Sequence, residues 1–264
     1  MNWTKYIGAP LLAIALAGAY ATLARAADPK PDISISDKSG EIKVAIDAAL
    51  KKHPGVHANL LAEGRRMAAK WRAEAEKEWR ANPEFFTGRR SWYLERTYHQ
   101  RSAIGRYVSI LRYDSTYRGG AHPNSHIETI LWDTGTRKRI SIRPFFRETA
   151  DGGPTMHTLA RRIRAALAVK KKARDIPISD PDTDQDLASV EPKLLRLGAV
   201  VLVPSTERGK SAGFVFYFSP YAVGSYAEGA YHAFVPWRDF RQHLSPTGAA
   251  LFGGDRAKGD DKKD

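Results

Sequence analysis

Small and apolar residues recur every three or four positions between residues 56 and 80. This spacing predicts an amphipathic helix with one face toward a core. The shorter segment 41–53 has apolar residues at the same spacing and predicts a second helix, which Pro54 ends. Trp71 and Trp79 lie on the apolar stripe of the longer helix, where they either form a stacking platform for sugars or pack against the core.

The pattern changes near residue 91 to short runs rich in Tyr, Trp, Ile and Val with partial alternation, which is typical of strands. The runs that predict strands are 91–99, 105–117, 125–133, 139–142, 197–204, 213–219 and 230–236. Residues 154–172 predict an amphipathic helix, and residues 237–243 predict a short one. Helices followed by a mostly antiparallel sheet with one or two packed helices predict an α+β fold.

The N-terminus has the order of features found in a secretory signal. Lys5 gives a positive n-region, residues 7–23 are uncharged and rich in Ala and Leu, and Ala24-Arg25-Ala26 places small residues where signal peptidase reads them. Cleavage after Ala26 would release a periplasmic or secreted protein with no stable membrane span. Retention would leave an anchor, since seventeen residues lie near the lower limit for a span.

The chain that follows the signal segment 1–26 is long enough for one domain with a sizeable core. Residues 27–40 are polar and contain two prolines, so they predict a flexible lead-in. Residues 41–248 predict a single domain, with a helical part at 41–85 and a core at 90–244. The charged residues 249–264 predict a disordered tail.

The chain is strongly basic and contains no cysteine. Its net charge of +13 falls to +11 when residues 1–26 are removed with Lys5 and Arg25. An exported basic protein suggests acidic partners such as anionic glycans, lipid headgroups or acidic proteins, or it simply has a basic surface. We expect no nucleic acid, because export takes the chain away from it. The lack of cysteine excludes thiol catalysis and Cys-ligated metal sites.

Residues 209–213 (GKSAG) match G-x-S-x-G, the nucleophile elbow of hydrolases. The elbow requires a strand before the serine and a helix after it. Here residues 213–219 (GFVFYFS) predict a strand after the serine. We therefore interpret the motif as a hairpin turn.

Four acidic residues suggest one candidate metal site. Asp180, Asp182, Asp184 and Glu191 occupy positions 1, 3, 5 and 12 of an EF-hand-like loop, and oxygen ligands at this spacing suit calcium. Gln185 stands where that loop requires glycine, which favours the alternative of an acidic surface loop. Apart from this calcium candidate, the sequence predicts no cofactor.

His122 and His126 have the spacing of the histidines in some zinc sites. Gly119, Gly120 and Pro123 argue against the helix that would align both rings. The alternative is a turn in which histidine hydrogen-bonds the backbone.

Basic residues crowd the outer face and the end of the predicted helix 154–172, between Arg161 and Arg174, and Lys170–Lys172 are expected to face outward. Such a cluster either docks phosphates or an anionic glycan, or is a solvated helix face.

Three passages together resemble one protein family. They are YVSILRY (107–113) with YRGGAHPN (117–124), LWDTG (131–135) with PFF (144–146), and GFVFYFSPY (213–221) with YAEG (226–229) and FVPW (234–237). These passages are similar to the extracytoplasmic domain of RsiV-type anti-sigma factors, long labelled a domain of unknown function. The same module accompanies the deacetylase domain of PdaC-type peptidoglycan enzymes. The resemblance covers about residues 90–240.

The resemblance implies a compact α+β module outside the membrane, and in one branch of the family a receptor that binds lysozyme. We expect the module alone here, without a sigma-binding segment or a deacetylase domain, since only four residues precede Lys5. The late loop 224–227 reads GSYA, where the family often has APYA.

The expected ligand-binding residues lie in two of these passages: Gly120, His122, Tyr221, Ser225, Tyr226 and Glu228. The tyrosines flank a Gly-Ser loop, and this mix of aromatic and adaptable residues is found in recognition surfaces. The alternative is that both tyrosines pack under the loop and hydrogen-bond its backbone.

The sequence therefore predicts a non-catalytic binding module for an envelope ligand, either a lysozyme-like protein or a peptidoglycan fragment. Lysozyme is itself basic, so long-range charge would oppose that complex and favour an anionic glycan. The alternative is a cell-wall-acting hydrolase or a deacetylase-like enzyme, with His122 and Glu228 as acid–base groups. A structural envelope protein without a discrete ligand is the third hypothesis.

Overall fold

Two stretches of the chain, residues 30–87 and 91–264, are described by the computed structural model. The predicted signal segment 1–26 lies outside these residues, as does the beginning of the predicted lead-in. Within the described stretches, no helix is both long enough and apolar enough to cross a membrane.

A six-stranded sheet forms the larger half of the protein. Its strands are β1 Ile33–Asp37, β2 Gly40–Ile46, β3 Trp92–Ile104, β4 Tyr107–Tyr117, β5 Asn124–Asp133 and β6 Lys138–Ile140. They lie side by side in chain order, and every neighbouring pair is antiparallel except β2 and β3. Helices α1 Ala48–Lys51 and α2 Pro54–Ala81 provide the crossover which that parallel pair requires.

A smaller antiparallel sheet follows, with helix α3 packed on it. The helices and strands of this half are α3 Pro154–Lys172, β7 Ala199–Pro204, β8 Ser211–Phe218, β9 Tyr231–Pro236 and α4 Pro246–Leu251. The strand order is β7-β8-β9. The described chain thus has the predicted α+β fold, with a mostly antiparallel set of strands.

Strand β8 is buried along its whole length and separates two cores. Phe214 packs with Leu159 of α3, whereas its neighbour Val215 packs with Leu111 of the six-stranded sheet. Successive strand residues point to opposite faces, so β8 serves both cores at once. Helix α2 covers the other face of the large sheet through residues such as Leu60. The layers therefore run α2, large sheet, small sheet, α3.

Most of the predicted elements are confirmed. The helix predicted at 56–80 is α2, the one predicted at 154–172 is α3, and the predicted strands correspond to β3–β9. Trp71 is buried among apolar residues, which confirms its place in the core rather than on a sugar platform. Residues 237–243 form two short 3₁₀ turns instead of one helix.

The helix predicted at 41–53 is wrong over most of its length, because β2 occupies its first half and only the single turn of α1 is helical. Ile42, Val44 and Ile46 are all buried, which is the period of two that a strand has. Ile42 and Ile46 fit either period, since four residues span one helical turn and also two strand repeats. Pairing with β3 selects the strand.

The predicted flexible lead-in 27–40 is likewise structured in its second half. Strand β1 pairs with β2 in antiparallel register, from Ile33 opposite Val44 to Asp37 opposite Gly40. The alternation of Ile33, Ile35 and Asp37 with serines was the available signal. This alternation does not predict a strand by itself, because the segment forms a strand only by pairing with β2.

The predicted disordered tail 249–264 is also corrected by the structure. Helix α4 runs into it, and its end folds back against β3 and β8. Asp260 is buried and accepts two hydrogen bonds from the guanidinium of Arg101, which is itself 5% exposed. Asp264 accepts hydrogen bonds from Arg101 at 2.8 Å and from the Tyr217 hydroxyl at 2.9 Å. The acidic side chains of this segment therefore pair with the buried guanidinium of Arg101.

Burial disfavours the charged form of each group in this cluster, but the ion pairs and hydrogen bonds between the groups favour it more strongly. Burial alone would raise the pKa of Asp264, yet hydrogen bonds from Arg101 and Arg256 hold it below its ordinary value. Burial alone would lower the pKa of Arg101, and the hydrogen bond to Asp260 raises it instead. All members of the cluster are charged at neutral pH. Removing one of them leaves the remaining charges buried without a partner, which destabilises the folded state.

Replacing Arg101 with methionine would leave Asp260 and Asp264 buried without this cation. Breaking a buried ion pair from one side costs about 3 kcal/mol, so R101M should lower the free energy of unfolding in urea by about that amount. The control is Arg238→Met, because the side chains of Arg238 and its partner Asp255 are 51% and 74% exposed. That variant should change the free energy by less than about 1 kcal/mol. Equal effects of the two substitutions would contradict a stabilising role for the buried cluster.

Candidate functional site

Two loops from different sheets meet at one end of the protein. Residues 118–123 connect β4 to β5, and residues 219–230 connect β8 to β9. The Tyr226 hydroxyl donates a hydrogen bond to the carbonyl oxygen of Pro123 at 2.8 Å. The side chain of one loop is thereby fixed to the backbone of the other, 103 residues away in sequence.

Three aromatic rings lie in contact with one another, in series, across these loops. The ring of His122 stacks on that of Tyr226 with centroids 4.1 Å apart, and Tyr226 contacts Tyr221 at 5.2 Å. We call His122, Tyr221 and Tyr226 the aromatic triplet. His122 Nδ1 also lies 2.9 Å from the Pro123 carbonyl oxygen, so this turn histidine hydrogen-bonds the backbone as one of the two predictions had it.

Tyr221 is the outermost ring of the aromatic triplet. It is 64% exposed, and its backbone has φ of 71°, in the left-handed region that tyrosine rarely adopts. The turn is closed by the Ala222 amide, which donates to the Ser219 carbonyl oxygen at 3.0 Å. A strained backbone that holds a large ring in solvent is a feature that clusters at binding sites.

The two adjacent glycines of the other loop, Gly119 and Gly120, have different roles. Gly119 has φ of 85°, which suits a glycine at a strand end, whereas Gly120 is not among the residues with positive φ. Both are exposed, and Gly120 has nothing near the position of a Cβ. Gly120 therefore contributes an open backbone next to His122 rather than a side chain.

Glu228 closes the base of the longer loop. Its carboxylate accepts a hydrogen bond from the Ser225 amide at 2.8 Å, and the Ser225 side chain caps the same short 3₁₀ helix, Tyr226–Glu228, in return. The other carboxylate oxygen lies 2.8 Å from Lys171 Nζ and 2.8 Å from the Tyr231 hydroxyl. The carboxylate thus links the loop to α3 and β9.

These contacts fix the charge of Glu228. Burial opposes its ionisation, but hydrogen bonds from Lys171, Ser225 and Tyr231 lower its pKa from 4.5 to about 2. A group with that pKa holds no proton to donate near neutral pH, so Glu228 positions the loop. His122 bonds Pro123 and stacks on Tyr226, and Glu228 has other partners. The structure therefore does not join His122 and Glu228 in the predicted acid–base pair.

Gly224 is needed where the Glu228 carboxylate crosses the loop backbone. A Cβ at Gly224 would overlap with the carboxylate oxygens of Glu228. The glycine in the GSYA segment thus makes room for the internal ligand of Lys171.

A groove runs beside the aromatic triplet along the edge of β5. Strand β6 pairs only with residues 131–133 of β5, so the edge at 126–129 is left without a neighbouring strand. A groove of about 550 Å³ follows this edge and is bounded on its far side by residues 194–200. Ser219 and Ala222 line it from the loop that carries Tyr221. We call it the edge groove.

Polar groups are ordered at the rim of the edge groove. Ser219 Oγ accepts a hydrogen bond from the Ile127 amide at 2.9 Å and lies 3.2 Å from His126 Nδ1. His126 Nε2 lies 3.0 Å from Glu128 Oε1. That contact with Glu128 raises the pKa of His126, and the same contact lowers the pKa of Glu128.

The two histidines of the zinc candidate have different partners. His126 binds Ser219 and Glu128, whereas His122 belongs to the aromatic triplet. Among residues 30–87 and 91–264, no three His, Asp or Glu side chains are grouped as metal ligands would be.

The carboxylates of the calcium candidate also have separate partners. Asp182 pairs with Arg164 at 2.7 Å, Asp184 accepts from the Leu187 amide at 3.1 Å, and Glu191 pairs with Lys193. Asp180 accepts from the Asp182 amide at 2.9 Å. The structure supports the alternative of an acidic surface loop that is fastened to α3.

Two cations of the basic cluster at the end of α3 bind internal acceptors. Lys171, predicted to face outward, has a fully buried side chain paired with Glu228 and Asp186. Arg174 lies over the Tyr231 ring and donates to the carbonyl oxygens of Glu228 and Ala230. These cations hold loops in place, and their positions are explained by internal acceptors.

The G-x-S-x-G motif is structural. Gly209, with φ of 75°, turns the chain between β7 and β8, as the hairpin interpretation predicts. Ser211 is fully buried, and its hydroxyl donates to the carbonyl oxygen of Val203 or Gly213, 3.0 Å and 2.8 Å away.

Comparison with known proteins places this loop in a described family segment. Residues 209–238 match a family model described as Protein of unknown function (DUF3298). That segment contains β8, β9 and the whole loop with Ser219, Tyr221, Tyr226 and Glu228. No curated protein matches the chain.

Two solved structures are similar to this chain. A DUF3298 family member from Bacteroides fragilis NCTC 9343 has 16% sequence identity, with 71% of this chain and 69% of that chain covered and a TM-score of 0.48. A DUF3298 family protein from Pseudomonas aeruginosa PAO1 has 15% identity, with 81% and 88% covered and a TM-score of 0.49.

Sequence reasoning did not assign a role to Ser219, Glu128 or Lys171. His126 and Glu128 are two residues apart in a strand, which places them on one face, so that pair had a readable signal. Ser219 lies 93 residues from His126, and no sequence pattern joins them.

Lys171→Met would leave the Glu228 carboxylate without the cation that neutralises it. We expect a loss of about 3 kcal/mol in the free energy of unfolding, measured in urea at neutral pH. Lys172→Met is the matched control, because the adjacent side chain is exposed, and it should change the free energy by less than about 1 kcal/mol. Similar values for the two variants would contradict the role of Lys171.

Acid should weaken the same contact. The folded-state pKa of Glu228, about 2, lies below the ordinary 4.5, so the carboxylate stabilises the fold above pH 4.5 and loses this effect as pH falls toward 2. Glu228→Gln should cost up to about 3 kcal/mol at pH 7, and the difference from wild type should shrink below pH of about 4.5. Urea titrations across this range measure it, with exposed Glu84→Gln as control. A difference that is constant with pH would refute the assignment.

Proposed function

We propose that this chain is a binding module for an envelope glycan, with the aromatic triplet as its recognition surface. The observation that carries the proposal is the contact of the His122, Tyr226 and Tyr221 rings in series, which is exposed at the Tyr221 end and fixed by the hydrogen bond from Tyr226 to Pro123. An aromatic face offers apolar area and a polar tip, which suits the C–H face and the hydroxyl rim of a sugar ring.

Preorganisation supports the same function. The loop is held by the Glu228 carboxylate at its base and by the Pro123 carbonyl at its tip. Side chains that are already fixed lose little entropy when a ligand binds, so more of the contact energy appears as affinity. The ring of Tyr221 is kept in solvent despite its unfavourable backbone conformation.

The edge groove gives the ligand room to continue past the triplet. Its lining includes the hydroxyl residues Thr129, Ser141 and Ser189, and its rim carries Arg196, whose side chain is 66% exposed. Hydroxyl groups and an arginine fit the hydroxyls and carboxylates of an anionic glycan such as a peptidoglycan fragment. The positive net charge of the chain would attract such a ligand and repel a basic protein.

Location follows from the same proposal. The order of features in residues 1–26 supports export, so the module would work in the periplasm or outside the cell. The resemblance to RsiV-type and PdaC-type domains, which stays a prediction, agrees with a role at the cell wall.

The test is calorimetric titration of residues 27–264 with soluble muropeptides. Tyr226→Ala should weaken binding by about tenfold, which corresponds to about 1.4 kcal/mol for a lost stacking ring. Tyr226→Phe keeps the ring and loses only the hydrogen bond to Pro123, so it should weaken binding less. Val169→Ala, an exposed apolar position on α3, is the control and should bind as wild type does.

A parallel titration with a c-type lysozyme separates the two ligand classes. Heat from lysozyme alone, lost in Tyr226→Ala, would replace the glycan with a protein ligand at the same surface. Binding of muropeptides that is unchanged by Tyr226→Ala would refute the aromatic triplet as the site.

A further inference from the structure

The rim of the edge groove carries a hydrogen-bonded series of three side chains that the proposed binding function does not use. Ser219 Oγ lies 3.2 Å from His126 Nδ1, and His126 Nε2 lies 3.0 Å from Glu128 Oε1. All three residues line the same groove. The sequence of groups is a hydroxyl, an imidazole and a carboxylate, each in contact with the next.

The partners determine which imidazole nitrogen carries the proton. An ionised carboxylate can only accept hydrogen bonds, so Nε2 of the neutral imidazole carries the proton and donates to Glu128. Nδ1 is then the acceptor that faces Ser219. This is the arrangement in which an imidazole removes a proton from a serine hydroxyl and a carboxylate stabilises the imidazolium that forms. The roles of the two nitrogens are exchanged relative to the serine protease triad, but the relay is the same.

Backbone geometry keeps Ser219 in position. The Ile127 amide, at the unpaired edge of β5, donates to Ser219 Oγ at 2.9 Å. Ser219 directly follows β8, which is buried on both faces, so the rigid strand holds its hydroxyl beside the groove. The hydrogen bond from this amide also fixes Ser219 Oγ relative to His126 Nδ1.

We propose that Ser219, His126 and Glu128 form a hydrolytic site for carboxylic esters. Ser219 Oγ attacks the ester carbonyl carbon while His126 Nδ1 takes its proton. The tetrahedral intermediate then collapses, the ester C–O bond breaks, and His126 returns the proton to the departing alcohol. Water attacks the acyl-serine by the same route, which releases a carboxylic acid and restores Ser219. No oxidant, reductant or metal is needed for this balance.

The groove lining indicates the acyl group. Apolar side chains line the groove together with the hydroxyl residues, and they come from the β5 edge, the segment before β7, the end of β8 and the loop after it: Ile127, Leu194, Leu195, Leu197, Phe218 and Ala222. A volume of about 550 Å³ accommodates a short acyl chain together with part of its alcohol. The substrate class is therefore an ester with a short apolar acyl group.

The first experiment is covalent labelling of residues 27–264 with a fluorophosphonate, a probe that reacts with activated serine hydroxyls. Peptide mass spectrometry should find the adduct on Ser219, and His126→Gln should reduce labelling by at least about tenfold, in keeping with the usual contribution of a general base. Adducts distributed over several serines, or equal labelling in His126→Gln, would overturn the proposal.

The second experiment is hydrolysis of p-nitrophenyl butyrate. Ser219→Ala and His126→Gln should each lower kcat/KM by about 100-fold or more, and Glu128→Gln should lower it less. Ser125→Ala and His157→Ala are matched controls, since both side chains are exposed and outside the relay, and they should retain the wild-type rate. A rate that survives in Ser219→Ala would mean that surface imidazoles hydrolyse the reagent and would reject the site.

This inference does not rest on the glycan-binding proposal. Covalent labelling of Ser219 together with no heat from muropeptides would mean that the binding proposal fails and the esterase inference stands. Heat from muropeptides together with no labelling of Ser219 would mean the reverse. Loss of one property without the other distinguishes failure of the esterase inference from failure of the binding function.

Discussion

Burial of β8 on both faces is the constraint on which the rest of the structure depends. Its alternate residues pack against α3 on one side and against the six-stranded sheet on the other, so neither sheet can shift without opening a core. The loop that follows β8 starts from a fixed point at Ser219. For that reason the hydroxyl of Ser219 can hold a defined distance to β5, and the ring of Tyr226 can meet His122 from the other sheet.

Buried charges then decide where the irregular segments lie. Lys171 and Arg101 are removed from water, and each requires carboxylates that arrive from distant parts of the chain. Glu228 arrives with the long loop of the small sheet, and Asp260 with the C-terminal segment. Each pair stabilises the fold only when both partners are present, because either charge alone would be buried without compensation. The pairs therefore hold particular loops in place and add little to the stability of the fold as a whole. The buried ion pair of Lys171 and Glu228 fixes the loop of Gly, Ser and Tyr that we propose as a recognition surface.

The sheet edge explains why the proposed binding surface and the proposed hydrolytic residues lie close together. Strand β6 is short, so β5 is left with free backbone groups where it faces the groove. The Ser219 hydroxyl satisfies one of these groups, the Ile127 amide. Side chains of β5 and of the β8 loop therefore meet beside the edge groove. Glu228 was a reasonable candidate acid from its position in the sequence, but its contacts hold it as a permanent carboxylate.

The sequence by itself determined the elements whose periodicity is unambiguous, such as α2, α3 and the strands from β3 onward, because burial of one face forces a repeat of 3.6 or 2. It also indicated the tyrosine loop and the diglycine turn. Only the tertiary structure decided that residues 40–46 pair as a strand, since Ile42 and Ile46 fit both repeats. It alone brought Ser219 to His126 and Glu228 to Lys171, because contacts between residues far apart in the chain arise from packing and leave no local pattern.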